Sequence, residues 1–356
     1  MIQVMPSDIT RSSHMMMATA SKTHRIPALD FTKGALVLFM VLYHWLNYFI
    51  STEGDFYRYL RFLTPSFIFI TGFLISNVYP SKYQIGDPHL TKRLVQRGLK
   101  ILGLFIVLNT TVSLIFSGSS TGKVLFDHSS ISNVIAIYVT GNIVIAGNGK
   151  AAAFHILVPI SYLLLLSAGL LIVSRFYKYI FHVVCAFFLL CILLLDLNGL
   201  ESANLELLTI GLLGVIFGYV PIEKINDFVR HPYTVVSAYL CYAGAITLWD
   251  VVYPLQVVGV CLTLMLIYLL GANNDEPSLM RNHIILLGRY SLFGYIAQIA
   301  VLQLLYRSLR HINLEDGALA IPLLGGFVLT LITVEALDRA RAKSTTVDSL
   351  YKAVFA

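Results

Sequence analysis

Residues 25–48, RIPALDFTKGALVLFMVLYHWLNY, decide how the chain is read. A basic entry ending at Lys33 gives way to an uncharged run that then meets His44. A helical run of about twenty apolar residues, rising 1.5 Å each, crosses a hydrocarbon layer of roughly 30 Å, so this stretch predicts a membrane span. An ionisable side chain within a span is costly and by default marks function. Lys33 and His44 are eleven residues apart, which places them on nearly the same helix face and about 16 Å apart along the axis. Asn47 follows His44 by three positions and shares that face, where it is placed to orient the imidazole. The residues alone leave a second reading open, with His44 a buried polar residue bonded to a neighbouring helix and Lys33 a cationic anchor reaching to water.

Working outward, the same pattern recurs. The 356 residues are 57% hydrophobic and only 12% charged, with a mean hydropathy of +0.76, far more apolar than an average soluble domain. Apolar runs bounded by charges, Pro or Gly predict spans near 33–50, 60–79, 97–116, 154–174, 178–197, 204–220, 233–250, 254–271, 288–308 and 318–338. The fold class expected is therefore an all-α polytopic bundle of about ten transmembrane helices, in contact with membrane lipid. Residues 131–147, ISNVIAIYVTGNIVIAG, are short and broken by Thr140, Gly141 and Asn142, which predicts an interfacial or re-entrant piece.

Charge sets the orientation. With ten spans, Lys22, Arg25, Lys33, Lys82, Lys92, Arg93, Arg97, Lys100, Arg175, Lys178, Lys224, Arg230 and the basic run 339–343 share one side. That side is expected to be the cytoplasm, with both termini in it. The opposite connection 198–203 has Glu201 and no Lys or Arg, although Arg58, Arg61, Lys123, Arg307 and Arg310 make the asymmetry imperfect. The net charge of +6 thus reports topology and anionic ligands, and nucleic acid is not an expected partner. Residues 1–24 predict a disordered cytoplasmic tail, 25–340 one membrane domain, and 341–356 a cytoplasmic C-terminal tail. Cys185, Cys191, Cys241 and Cys261 all fall in apolar stretches without metal-ligand spacing, so small buried hydrophobes are expected and no metal site.

Arg25, Leu29, Asp30, Lys33, Gly34 and His44, with ten residues between Lys33 and His44, resemble the opening helix of the membrane-bound acyltransferase 3 superfamily. Its members include relatives that acetylate heparan α-glucosaminide and relatives that succinylate periplasmic glucans. Three further places carry the likeness. FIFITGFL at 67–74 resembles the family's Phe-rich Ser-Gly-Phe segment, with Thr71 for Ser. Lys92, Arg93 and Arg97 resemble the basic entry to its third helix, and LLGRYSLFGY at 286–295 its Gly-x-x-Ser-Leu-x-x-Tyr entry to the penultimate helix. Residues 115–280 match only as a run of hydrophobic helices. Gln298 lies where many relatives carry a second His, which speaks against a two-histidine mechanism and toward the glucosaminide and glucan branches.

The resemblance implies an acyl-CoA donor, acetyl-CoA first among them, and a glycan or glycolipid acceptor, in a bacterial inner membrane. Lys33, Arg93 and Arg97 would hold the donor phosphates by charge-assisted hydrogen bonds. Neutral His44 would act as general base, with Asn47, Thr71 and Tyr295 as candidate oxyanion donors. Each helper also has a plainer reading: Arg93 and Arg97 as inside anchors, Thr71 and Gly72 as a close helix contact, Tyr295 with Ser291 as a cross-helix bond, and Asp30 as a helix cap that pairs with Lys33. The rival function class is a transporter or flippase of a polar or lipid-linked solute with His44 as a proton relay, against which stand the absence of internal repeats and of an intramembrane acid–base pair.

Overall fold

The computed structural model describes residues 26–51, 54–78, 88–116, 131–141, 154–273, 278–309 and 319–355. Residues 1–25, with Arg25, and Lys82, Lys123, Arg310 and residues 142–147 lie outside them. Among the described residues every regular element is helical. Helix α1 (Pro27–Trp45) begins at a proline, whose fixed φ suits the first helical position and whose missing N–H would have had no partner there. Asp30 lies in its first turn, at the positive end of the helix dipole. Beyond Trp45 the helix widens into a π-helical turn, Leu46–Ile50.

Then come α2 (Leu63–Asn77), α3 (Pro88–Phe116), a short α4 (Ile131–Ile135), α5 (Leu157–Val173), α6 (Ile180–Leu197) and α7 (Ala203–Phe217). They are followed by α8 (Ile222–Val229), α9 (Pro232–Leu248), α10 (Tyr253–Asn273), α11 (Leu279–Arg289), α12 (Ser291–Leu309), α13 (Ala320–Lys343) and α14 (Thr345–Phe355). Each of the ten expected spans coincides with a helix. Seven helices among the described residues are long and apolar enough to cross a membrane, and eight if α7 and α8, bent by 95°, count as one broken span. Helices α5 and α9, at 17 residues each, are about 26 Å long, slightly under the hydrocarbon thickness. The chain is a multi-pass helical membrane protein.

Helix α1 is the hub, packed against α2, α10, α11, α12 and α13, while α2 pairs with α7 and α3 with α5. Lipid-soluble helices gain no hydrophobic free energy from meeting in a bilayer, so close packing through small residues must hold them. At α2–α7 a Cβ on Gly72 would overlap the Gly211 carbonyl, and one on Gly214 the Phe69 carbonyl. The outermost helix, α6, instead presents Leu190, Leu193 and Leu194 outward, as a lipid-facing surface should.

The segment from residue 131 to 141 is helical for ten residues, the second half as a π turn, Ala136–Thr140. At about 15 Å it is too short to cross. It ends at Gly141, whose φ of 70° is the left-handed conformation glycine adopts without strain. The Tyr162 hydroxyl donates to the Tyr138 carbonyl at 2.8 Å and Asn204 Nδ2 to the Ile137 carbonyl at 3.3 Å, tying it to α5 and α7. At the other end, α13 runs on to Lys343 and α14 folds back onto the bundle, where a tail is expected from the sequence. Asp348 accepts from Arg341 and Tyr351 packs against Tyr290, which gives this short helix both a polar and an apolar hold.

Candidate active site

His44 sits at the last turn of α1, where the helix begins to widen. Such π-helical departures occur often at functional sites, because the extra residue per turn re-aims the side chains around it. The ring lies edge-on to Tyr43 at 5.3 Å and nearly parallel to Tyr48 at 6.1 Å, with its Nε2 buried. Tyr48 in turn stacks on Tyr306 at 6.0 Å and accepts from Gln303 Nε2 at 3.3 Å, so α12 fixes the aromatic wall beside the imidazole. Asn47 hydrogen-bonds the Tyr43 side chain. It therefore acts on the His44 environment through the neighbouring tyrosine.

Tyr295 is 7% exposed and packs against Phe67 of α2 and Phe154 at the entry to α5, each with ring centroids 6.1 Å away. It lies within electrostatic reach of Tyr43 and Tyr48, the two rings that flank His44. The structure thus brings Tyr295 toward His44. Thr71, on the half-buried face of α2, donates its hydroxyl to the Phe67 carbonyl at 2.8 Å, and its neighbour Gly72 makes the close helix contact described above.

A second polar cluster escapes the sequence reading. Phe154 has φ of 56°, an uncommon conformation for an aromatic residue, and turns His155 inward against Asn204. A Cβ on Gly141 would come within 2.8 Å of both His155 Nε2 and Asn204 Oδ1, and both atoms are buried. The sequence signal is faint: a lone His before an apolar run and a glycine in a broken helix.

The basic residues gather at the opposite end of α1 and α12 from His44. A cavity of about 1140 Å³ is lined by Lys92, Arg93, Arg97 and Lys100 on α3, Arg289 at the end of α11, Arg341 on α13 and Lys352 on α14. Asp338 is the one carboxylate among the described residues lining it. So marked an excess of positive charge raises the local concentration of polyanions and offers forked donors to phosphate. Tyr290 closes one side, donating to Asp338 and accepting from Arg341 Nη1 at 3.0 Å.

Of the three cations expected to act together, Arg93 and Arg97 meet on this cavity. Lys33 is not among its lining residues and is paired with Asp30 at 2.6 Å. Arg289 and Arg341 were not among the sequence-derived candidates, although Arg289 lies inside LLGRYSLFGY and Arg341 in the basic C-terminal run. The lining stops at Tyr290 on the α12 side and Asp338 on the α13 side. From Tyr290 to Gln303, beside the His44 wall, is thirteen residues, about 20 Å along a helix. The site therefore has two parts: a cationic cavity at one end of these helices and a histidine among aromatic rings at the other. Such an arrangement suits a ligand with a charged head and a long uncharged arm.

Comparison with known proteins bears on the fold and the site together. The model of a family described as an acyltransferase domain matches residues 26–335. No curated protein and no solved structure matches the chain.

Proposed function

The chain belongs to the acyltransferase 3 family and is an acyltransferase, and we propose that it moves an acetyl group from cytoplasmic acetyl-CoA to a hydroxyl or amine of a glycan or glycolipid. The observation that carries the donor is the basic cavity. CoA places several negative charges at one end and its thioester at the end of a long arm. Arg93, Arg97 and Arg289 take the phosphates, and the arm runs along α1 and α12 toward His44. Lys33, expected to join them, is neutralised by Asp30 at 2.6 Å and is given no donor phosphate.

At the histidine end, His44 removes a proton from the acceptor O–H or N–H as that atom attacks the thioester carbonyl. The carbonyl π pair moves onto oxygen, where Asn47 and Tyr295 are the candidate donors; Thr71, expected to join them, gives its hydroxyl proton to the Phe67 carbonyl instead. Collapse of the tetrahedral species breaks the C–S bond, and the proton on His44 goes to the departing sulfur, giving CoA thiol and the acylated acceptor. The glycan acceptor is supported by the likeness to a superfamily that includes glucosaminide- and glucan-modifying relatives, and by Gln298 standing where the other branches carry a second His. The basic cavity belongs at the cytoplasmic face, since acyl-CoA is cytoplasmic and most Lys and Arg cluster there; a bacterial inner membrane fits the glucan-modifying likeness.

Purified protein given acetyl-CoA and a panel of oligosaccharides and glycolipids tests this. Acceptor-dependent release of CoA thiol is the expected result. Reconstituted vesicles that move a sugar or lipid-linked sugar while releasing no thiol would overturn it in favour of transport.

A further inference from the structure

Helix α14 lies beyond residues 26–335, yet it forms one wall of the basic cavity through Tyr351, Lys352 and Phe355. It is held firmly. The Arg341 guanidinium donates to Asp348 through Nε at 2.9 Å and lies 4.0 Å over the Tyr351 ring, while Lys352 Nζ is 2.6 Å from the other Asp348 oxygen. Lys100 Nζ reaches across from α3 to the Lys352 carbonyl at 3.3 Å. Helix α14 thereby spans from α13 to α3.

The two charges this wall carries, Asp348 and Lys352, cancel. What it adds to a cationic cavity is aromatic surface: Tyr351 and Phe355 stack at 5.1 Å with planes 25° apart, backed edge-on by Tyr290 at 5.4 Å and Phe293 at 5.8 Å. Facing them are the arginines and lysines of α3 and Arg289. A free phosphate or a lipid headgroup would use the cations and leave the rings idle. A nucleotide uses both, since a purine stacks on aromatic faces and on guanidinium planes while its phosphates take the cations.

Resting on the reading of the donor as an acyl-CoA, we propose that α14 is the base-binding wall, with the donor's adenine on Phe355, the ring that Tyr351 and Arg341 stack behind, and its phosphates toward α3 and Arg289. Loss of one base–aromatic stack costs a factor of about ten or more in affinity.

The test is equilibrium binding of CoA, 3′,5′-ADP and 4′-phosphopantetheine to the full chain in detergent. Phe355→Ala, and Tyr351→Ala through loss of the ring behind it, should each weaken CoA and 3′,5′-ADP about tenfold or more and leave 4′-phosphopantetheine within about twofold. Tyr351→Phe, which keeps the ring over Arg341, should bind CoA like the parent protein. Equal losses for all three ligands would mean that α14 only closes the cavity, and unchanged CoA affinity in both alanine variants would mean that the base lies elsewhere; either result overturns the assignment while the donor reading stands. A parent protein that binds no CoA would remove both.

Discussion

Gly34 of α1 and Gly288 of α11 face one another where two helix backbones touch: a Cβ on Gly34 would overlap the Ile284 carbonyl oxygen, and one on Gly288 the Asp30 carbonyl oxygen. These glycines come from the first and the last segments that carry the family likeness. Their contact sets where Asp30 and Lys33 stand relative to Arg289. The obstructing atoms are backbone, so no rotamer change relieves the overlap. Gly34→Ala or Gly288→Ala should destabilise the protein by roughly 1–3 kcal/mol, the usual cost of overpacking. Thermal unfolding in detergent measures this, and the double variant should cost less than the sum, because one separation of the helices serves both. Parent-like midpoints would show that the backbones do not touch there.

The proposed function gives Arg93, which lines the basic cavity, a part in holding the donor. Arg93→Gln removes a charge-assisted hydrogen bond and should raise the apparent KM for acetyl-CoA about tenfold or more, with kcat comparatively intact. A fall in kcat at unchanged KM would place Arg93 in the chemical step instead. Expression and membrane insertion of the variant need checking, since an inside positive charge also guides topology.

How much of this was legible in the sequence follows from what each feature depends on. Helix positions were readable because apolar runs and their breaks are local, and His44 stood out because an ionisable residue in such a run is costly. The basic entry to α3 was readable as a cluster, since Lys92, Arg93 and Arg97 lie within six residues. The grouping of Lys33 with them was not settled by sequence, because its pairing with Asp30 is made one turn away on the same helix. Arg289, Arg341 and Lys352 meet α3 only through the return of α14, a long-range contact with no local pattern. His155 and Asn204 meet at Gly141 for the same kind of reason. Asn47 was placed by ideal helical spacing, and the π turn after Trp45 departs from that spacing.

Docking of α14 carries a pH dependence. The Asp348 carboxyl is held below its ordinary value, first by its hydrogen bond from Lys352 and then by that from Arg341. A carboxyl depressed by folding contributes stability above its unfolded pKa and loses it as the pH falls through the folded one. Hydrogen-exchange protection of residues 345–355, corrected for intrinsic rates, should therefore hold from neutrality down to the carboxylate range and drop below it. Asp348→Asn should show weak protection already at neutral pH. Protection equal to the parent's in that variant would make the ion pairs incidental.

Orientation is testable at the same helix. In a variant with Cys185, Cys191, Cys241 and Cys261 replaced by Ala, a cysteine at the exposed position 349 (Ser349→Cys) should react with a membrane-impermeant maleimide only after the cells are opened. Labelling in intact cells would put the basic cavity on the outer face and remove the access of cytoplasmic acyl-CoA to it.

The central claim is that His44 is the general base. His44→Gln keeps much of the volume and hydrogen-bonding capacity of the side chain while removing a group that titrates near neutrality. The decisive measurement is acceptor-dependent CoA thiol release by His44→Gln beside its acetyl-CoA affinity. The account predicts release lowered by about 10²–10⁴-fold, the usual contribution of a positioned base, with affinity for acetyl-CoA preserved. Near-parent release by the Gln variant would contradict it, and would leave His44 as a packing residue among Tyr43, Tyr48 and their neighbours.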